Sequence, residues 1–186
     1  MNHGGATGGA DAPGARRYYG KYRGTVVINV DPEQRGRIMA LVPDVLGLTP
    51  SSWAMPCVPF AGKGSGAYLV PEVGSGVWIE FEQGDPDFPI WVGGFWGAAL
   101  EVPPTALAPP PIPPGQNVVI STTGRASITL SDSAPTPATG GIVLRSVGGS
   151  MIVVNDSGIY LRSAGGATIT MIGPTVDVNN TALTVT

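Results

Sequence analysis

The chain has one histidine, His3, and one cysteine, Cys57, in 186 residues. A single cysteine excludes an intrachain disulfide, and one residue of each kind excludes a Cys/His zinc site. A Ser-His-Asp or Cys-His catalytic group would have to recruit His3 from a Gly/Ala-rich terminal stretch. Charge is scarce as well. Asp, Glu, Lys and Arg together make up 12% of the chain and the formal net charge is −3. A nucleic-acid binder normally carries a basic stripe, and there is none here. No run approaches 18 consecutive apolar residues, so no transmembrane helix is expected. Residues 1–14 lack a basic start followed by an apolar run, so no secretory signal is expected and synthesis is placed in the cytoplasm. Against these deficits stand 28 glycines, 19 prolines and a hydrophobic content of 42%. That much hydrophobicity is foreign to a disordered chain. Turn-rich β structure reconciles it with the glycine and proline.

Four regions separate on composition. Residues 1–16 read as a Gly/Ala-rich flexible tail. Residues 17–100 hold all four Trp, all four Phe and four of the five Tyr. Residues 101–116 contain seven prolines and read as a semi-rigid linker. Residues 117–186 contain one aromatic, Tyr160, among Val, Ile, Thr, Ser and Gly. No window has the period of an amphipathic helix. In the aromatic region, strands are expected at 17–30, 37–42, 67–70, 76–82 and 89–96, with turns at 31–36 and 83–87. Val77, Ile79 and Phe81 alternate with Trp78 and Glu80. About five short strands in this span suggest a small closed or nearly closed barrel, which leaves few free edges.

The last region repeats. GIVLRSVGGS at 141–150 and GIYLRSAGGA at 158–167 share seven of ten residues at an offset of 17. A β-branched run follows each, at 151–154 and 168–171, with weaker echoes at 127–130, 175–178 and 183–185. Short strands at fixed spacing with glycine corners are the mark of a β-helix or solenoid. One copy has almost no large side chains, so it can bury little apolar area per ordered residue. Its strands would also expose hydrogen-bonding edges. Three copies about one axis answer both needs, with Ile142, Leu144, Ile152, Ile159, Leu161 and Ile169 as the expected trimer core and the edges pairing between chains.

Several residues invite a chemical reading. Gly62-Lys63-Gly64-Ser65-Gly66 resembles a phosphate loop without its spacing or a following helix, and reads better as a barrel loop. Asp85 and Asp87, with Glu80 and Glu82, read as a turn and a solvated strand face rather than an acid/base pair. Cys57 is expected to be a small buried hydrophobe. Asn155-Asp156 and Asn179-Asn180 read as corners, with a weak axial ion site as the alternative. Arg145 and Arg162 recur at the repeat spacing and are expected on a solvated outer face. Trp78, Trp91 and Trp96 could stack bases, but seven basic against nine acidic residues in 1–100 favours a core or interface role. No catalytic, cofactor or metal residues are assigned, and no enzyme activity is expected.

The run Tyr19-Gly20-Lys21-Tyr22-Arg23-Gly24-Thr25-Val26-Val27 leads into Asp31-Pro32-Glu33-Gln34-Arg35-Gly36-Arg37-Ile38. Pro71-Glu72-Val73-Gly74-Ser75-Gly76-Val77 and Gly84-Asp85-Pro86-Asp87-Phe88-Pro89 follow in that order. This series resembles the OB-fold domain of the phage baseplate assembly protein V and VgrG spike family. The resemblance implies an all-β homotrimer, an OB-fold barrel followed by an intertwined triple-stranded β-helix needle. It implies a structural spike on the baseplate of a contractile particle, cytoplasmic or released, docked on a separate hub protein. The needle would contact the target membrane transiently on sheath contraction. The ending Thr181-Ala182-Leu183-Thr184-Val185-Thr186 has no His-x-His metal apex, and its Thr181, Leu183, Val185 and Thr186 suit a PAAR-like tip protein. The alternative is an OB-fold binding module for single-stranded nucleic acid or glycans.

Overall fold

The computed structural model describes residues 16–107, 117–180 and 182–185, without the side chain of Thr184. The expected tail, apart from Arg16, and residues 108–116 of the expected linker lie outside the described residues. The chain forms two compact units that divide between Gly97 and Ala98.

The first unit is a barrel. Its strands are β1 (Tyr22–Ile28), β2 (Met39–Leu41), β3 (Met55–Pro56), β6 (Gly76–Phe81) and β7 (Pro89–Phe95), with a small separate hairpin of β4 (Ala61–Gly62) and β5 (Ser65–Gly66). The sheet order is β2-β1-β6-β7-β3. Neighbours run antiparallel except β3, which lies parallel to β7. The two ends then meet: Ile38 N donates to Ala54 O at 3.2 Å and Ala54 N to Ile38 O at 2.7 Å. Five strands closed in this order make an OB-type barrel. Period-two alternation fills it. Val26, Ile38, Ala40, Val42, Ala54, Val77, Ile79, Phe81 and Trp91 are buried together.

One expectation fails here. Residues 67–70 form no strand, and Tyr68 and Leu69 stand exposed. The closing strand is instead the two-residue β3, followed by the Cys57 amide donating to Trp91 O at 2.9 Å. Two residues, one of them proline, are too few to show a period. Among the described residues the one α-helix, α1 (Pro43–Leu46), is one turn opened by proline at its first position.

The second unit begins with two 3₁₀ turns, Ala99–Glu101 across the expected barrel–linker boundary and Pro104–Ala106 within the expected polyproline-like linker. Eight strands follow: β8 (Asn117–Ser121), β9 (Ser127–Thr136), β10 (Thr139–Arg145), β11 (Met151–Asn155), β12 (Gly158–Arg162), β13 (Thr168–Ile172), β14 (Thr175–Val178) and β15 (Leu183–Val185). They form one sheet in chain order, each antiparallel to the next. The ladders therefore run within a chain, whereas the sequence reading assigned edge pairing to other copies. At about 4.8 Å per strand the sheet is roughly 34 Å from first strand to last.

The repeat is one hairpin long, and its turns are copies. Ser146 N donates to Ser150 O at 2.8 Å and Gly149 N to Ser146 O at 3.1 Å. Ser163 with Ala167 and Gly166 repeats the pair at 2.9 and 3.1 Å. A third turn, Thr122 to Ala126, has the same bonds at 2.9 and 2.9 Å. In it Arg125 holds φ +69°, where Gly149 and Gly166 hold +90° and +94°. An L residue in the left-handed region costs about 1–2 kcal/mol, while glycine gives back part of that in unfolded-state entropy. Arg125→Gly should therefore stabilise the unit by about 1 kcal/mol per chain, read as a raised melting midpoint.

Candidate functional site

Alternation gives the second unit two different faces. On one, two positions per strand are apolar on all eight strands. The first column is Val118, Leu130, Ile142, Val154, Ile159, Met171, Val176 and Val185, each opposite the next in register. The second is Ile120, Ile128, Leu144, Ile152, Leu161, Ile169, Val178 and Leu183. No charge or hydroxyl interrupts either column. Within one chain thirteen of the sixteen are large and exposed, from 37% at Ile169 to 62% at Val118. A continuous apolar stripe of this extent marks an association surface.

All six residues expected in a trimer core lie on this face. Leu183 and Val185, expected to meet a tip protein, take the last places of the same two columns. Thr181 and Thr186 lie outside the described residues.

The opposite face is polar at its ends with a small centre of Val143, Met151, Val153 and Tyr160. Asn155 is the corner residue that the sequence suggests, and it does more. Its Nδ2 donates to the carbonyls of Thr136 and Thr139 at 2.8 and 2.9 Å, and its Oδ1 accepts from Ser157 N at 2.9 Å. Asn179 and Asn180 sit in a turn at φ +51° and +52°, and Asn179 Oδ1 accepts from Thr168 N at 3.0 Å. Among the described residues no group of three His, Cys, Asp or Glu could hold a metal.

In the barrel the chief electrostatic feature lies in the loop from β1 to β2, which the sequence reading took simply as a turn. The Asp31 carboxylate accepts from Glu33 N and Arg35 N, each at 2.9 Å. It also accepts from Arg37 Nε at 3.0 Å and Nη2 at 2.6 Å. Both side chains are buried, at 2% and 10% exposed. Glu33 Oε1 adds a second contact to Arg37 at 3.1 Å, and the guanidinium lies over the Trp53 ring. The Arg37 hydrogen bond, with the loop amides, holds the Asp31 carboxyl well below the usual carboxylate range, against the opposing effect of burial. Asp31 likewise raises Arg37 further. The signal that could have shown the pair is the six-residue spacing of Asp31 and Arg37 around Gly36, whose φ of +75° folds the loop back.

A folded-state pKa below the unfolded one means the stabilisation is present above about pH 4 and is lost as pH falls below it. Asp31→Asn should lower the barrel's melting midpoint strongly at pH 7. The gap from wild type should shrink steadily below about pH 4. A gap independent of pH would contradict the ion pair.

Most of the remaining suspects resolve as structure. Gly62 to Gly66 form the β4–β5 hairpin. Asp85 Oδ2 lies 3.1 Å from Arg17 Nη1, and its Oδ1 accepts from Asp87 N at 3.1 Å. Glu80 pairs with Lys21. Cys57 is exposed, contrary to expectation. It follows the outward phase of Met55, while Ala54, Pro56 and Val58 take the inward one. Trp91 is buried, its Nε1 donating to Gly36 O at 3.1 Å. Trp78 packs on Phe95 beneath Arg23. Trp91 is thus a core residue, whereas Trp96 stands 62% exposed. Beside the Asp31 loop a hollow of about 480 Å³ is lined by Gly36, Val58, Tyr68, Val70 and Trp91.

A closed five-stranded barrel joined to a sheet with one unsatisfied apolar face is a component of an assembly, incomplete as a single copy. Comparison with protein families agrees. A model of the type VI secretion system and phage-baseplate injector OB domain matches residues 22–96. A model of the phage baseplate V C-terminal trimerisation domain matches residues 117–184. A search of curated proteins returned no match. The chain belongs to the baseplate V/VgrG-type family: it is a homotrimeric structural component of a baseplate, and not an enzyme. No helix among the described residues is long and apolar enough to cross a membrane.

Proposed function

We propose that this protein is the central spike of its particle. The barrel docks on a separate hub protein, and three C-terminal sheets pack by their apolar columns into a β-helical needle that punctures the target envelope when the sheath contracts. The observation that carries this reading is the unbroken pair of columns from β8 to β15. Packed about an axis, they give a dry core along the whole unit. Load along that axis falls on the ladders of three chains at once, so opening one place must break many hydrogen bonds together. Assemblies of this kind resist unfolding kinetically.

Two further features support the finer roles. The barrel exposes Phe60, Tyr68 and Leu69 next to the 480 Å³ hollow, an apolar surface suited to a hub. Within the sheet, β15 has a neighbour on one side only among the described residues, so each copy would offer a PAAR-like tip protein one free strand edge. The test is complementation of particles lacking this chain. Wild type should restore penetration of target cells. The full-length Leu144→Asp variant should not, with tube and sheath still assembled. Penetration restored by a variant shown to be monomeric would overturn the reading.

A further inference from the structure

The polar face of the C-terminal unit carries a hollow of about 430 Å³, within the range of small-molecule sites. Its floor is β8 to β10. Its cover is the tip of the β9–β10 hairpin, which reverses at Pro137 and Ala138 and bends at the register irregularity of Gly140 and Gly141, with φ of +76° and +69°. The two Asn155 bonds to Thr136 and Thr139 hold that hairpin in place. The hollow is therefore built before any ligand arrives.

Two side chains inside it present hydroxyls to the solvent of the hollow. Ser127 and Thr129 line the hollow, are only 8% and 9% exposed, and their hydroxyls have no hydrogen-bond partner among the described residues. Neither oxygen is sealed off: among the described residues no fully buried side-chain nitrogen or oxygen lacks a partner, so both hydroxyls open into the hollow. Arg145 lies opposite Ser127 in register, on the same face and at the edge of the same hollow. It has no carboxylate partner among the described residues. Val143, Ala134 and Ala138 supply apolar wall. The set is thus one free guanidinium, two unpaired hydroxyls and space for much more than an inorganic ion.

We propose that this hollow binds a small polyhydroxylated anion, a polyol phosphate or a sugar acid. The acidic group sits on Arg145, where a guanidinium offers paired donors. The ligand's hydroxyls complete Ser127 and Thr129, and its carbon skeleton lies on Val143. Arg162, at the equivalent repeat position, does not line the hollow and provides an internal control.

The test is calorimetric titration of the intact trimer with glycerol 3-phosphate and with glucuronate. Glycerol and inorganic phosphate are the comparison probes. At least one of the first two should bind with a submillimolar Kd. Glycerol should not bind, and inorganic phosphate should bind at least about ten-fold more weakly, lacking the hydroxyl contacts. Arg145→Gln should weaken binding by about ten-fold or more, and Arg162→Gln should leave it within about two-fold. Both substitutions are at exposed positions, and light scattering should show an unchanged trimer. Polyglycerol phosphate, titrated in parallel, separates a cell-surface polymer from a free solute as the source, and binding of either supports the site. Absence of binding by both probes overturns the proposal. So does equal binding by Arg145→Gln, or inorganic phosphate bound as tightly as the polyol phosphate.

Discussion

Leu144→Asp is expected to reduce the particle mass in light scattering from three times 19.0 kDa to 19.0 kDa. Leu144 sits mid-column between Ile128 and Ile152 and is 41% exposed within its own chain. In the proposed needle, the contact that covers it comes from other copies. A carboxylate there would be buried three times over, next to its own symmetry mates, with no cation on that face. Removing one charge from water costs several kcal/mol even after relaxation, so three cost on the order of 10 kcal/mol per trimer. That is comparable with the whole stability of a typical domain. Val147→Asp, in the turn just past the same strand and 69% exposed, should leave the trimer intact. A trimeric Leu144→Asp would place the trimer contact elsewhere.

Gly141→Ala is expected to have the second-largest effect. Here φ is +69°, and a Cβ would lie 2.2 Å from the Val154 carbonyl oxygen and 2.7 Å from Asn155 Cβ. Neither neighbour can rotate away, because Val154 is in register with Ile142 and Asn155 anchors the β9–β10 hairpin. Left-handed strain and overpacking together should cost about 2–5 kcal/mol per chain. Gly149→Ala separates the two causes. Its φ is +90° but no atom lies within 4 Å of the added carbon, so it should lose only the strain, about 1–2 kcal/mol. Equal melting midpoints for the two variants would contradict the carbonyl clash. Gly158, one repeat on, would meet the Met171 oxygen at 2.4 Å, which explains why glycine opens both repeats.

The strands of the C-terminal unit were legible because their period is regular and their corners are glycine. β14 and β15 begin and end where the β-branched runs do. β8 was missed, since five residues after a proline tract carry no repeat. The partner of each strand was not legible either. Alternation tells which side chains share a face, but it does not say whether a strand's neighbour comes from its own chain, and here it does. In the barrel, β6 and β7 show in their alternation, whereas β3 is defined only by its tertiary position beside β7. The Asp31–Arg37 pair and the Ser127–Thr129 hollow were hidden for a similar reason. Both depend on where a loop folds back, a property of backbone turns several residues away from the groups they bring together.

The antiparallel course of the C-terminal sheet also limits how such a rod can change in length. Each hairpin returns the chain to the edge it left, with the tight Asn155–Ser157 type of turn on one side and the Gly-Gly turn on the other. A single added strand would reverse the chain's direction and set each later turn sequence on the wrong side. Growth or shortening that keeps both apolar columns continuous therefore proceeds by pairs of strands, one 17-residue repeat at a time. Two strand spacings make that increment about 10 Å. Reach is thus quantised in this architecture, and tandem duplication of one repeat is its natural unit of change.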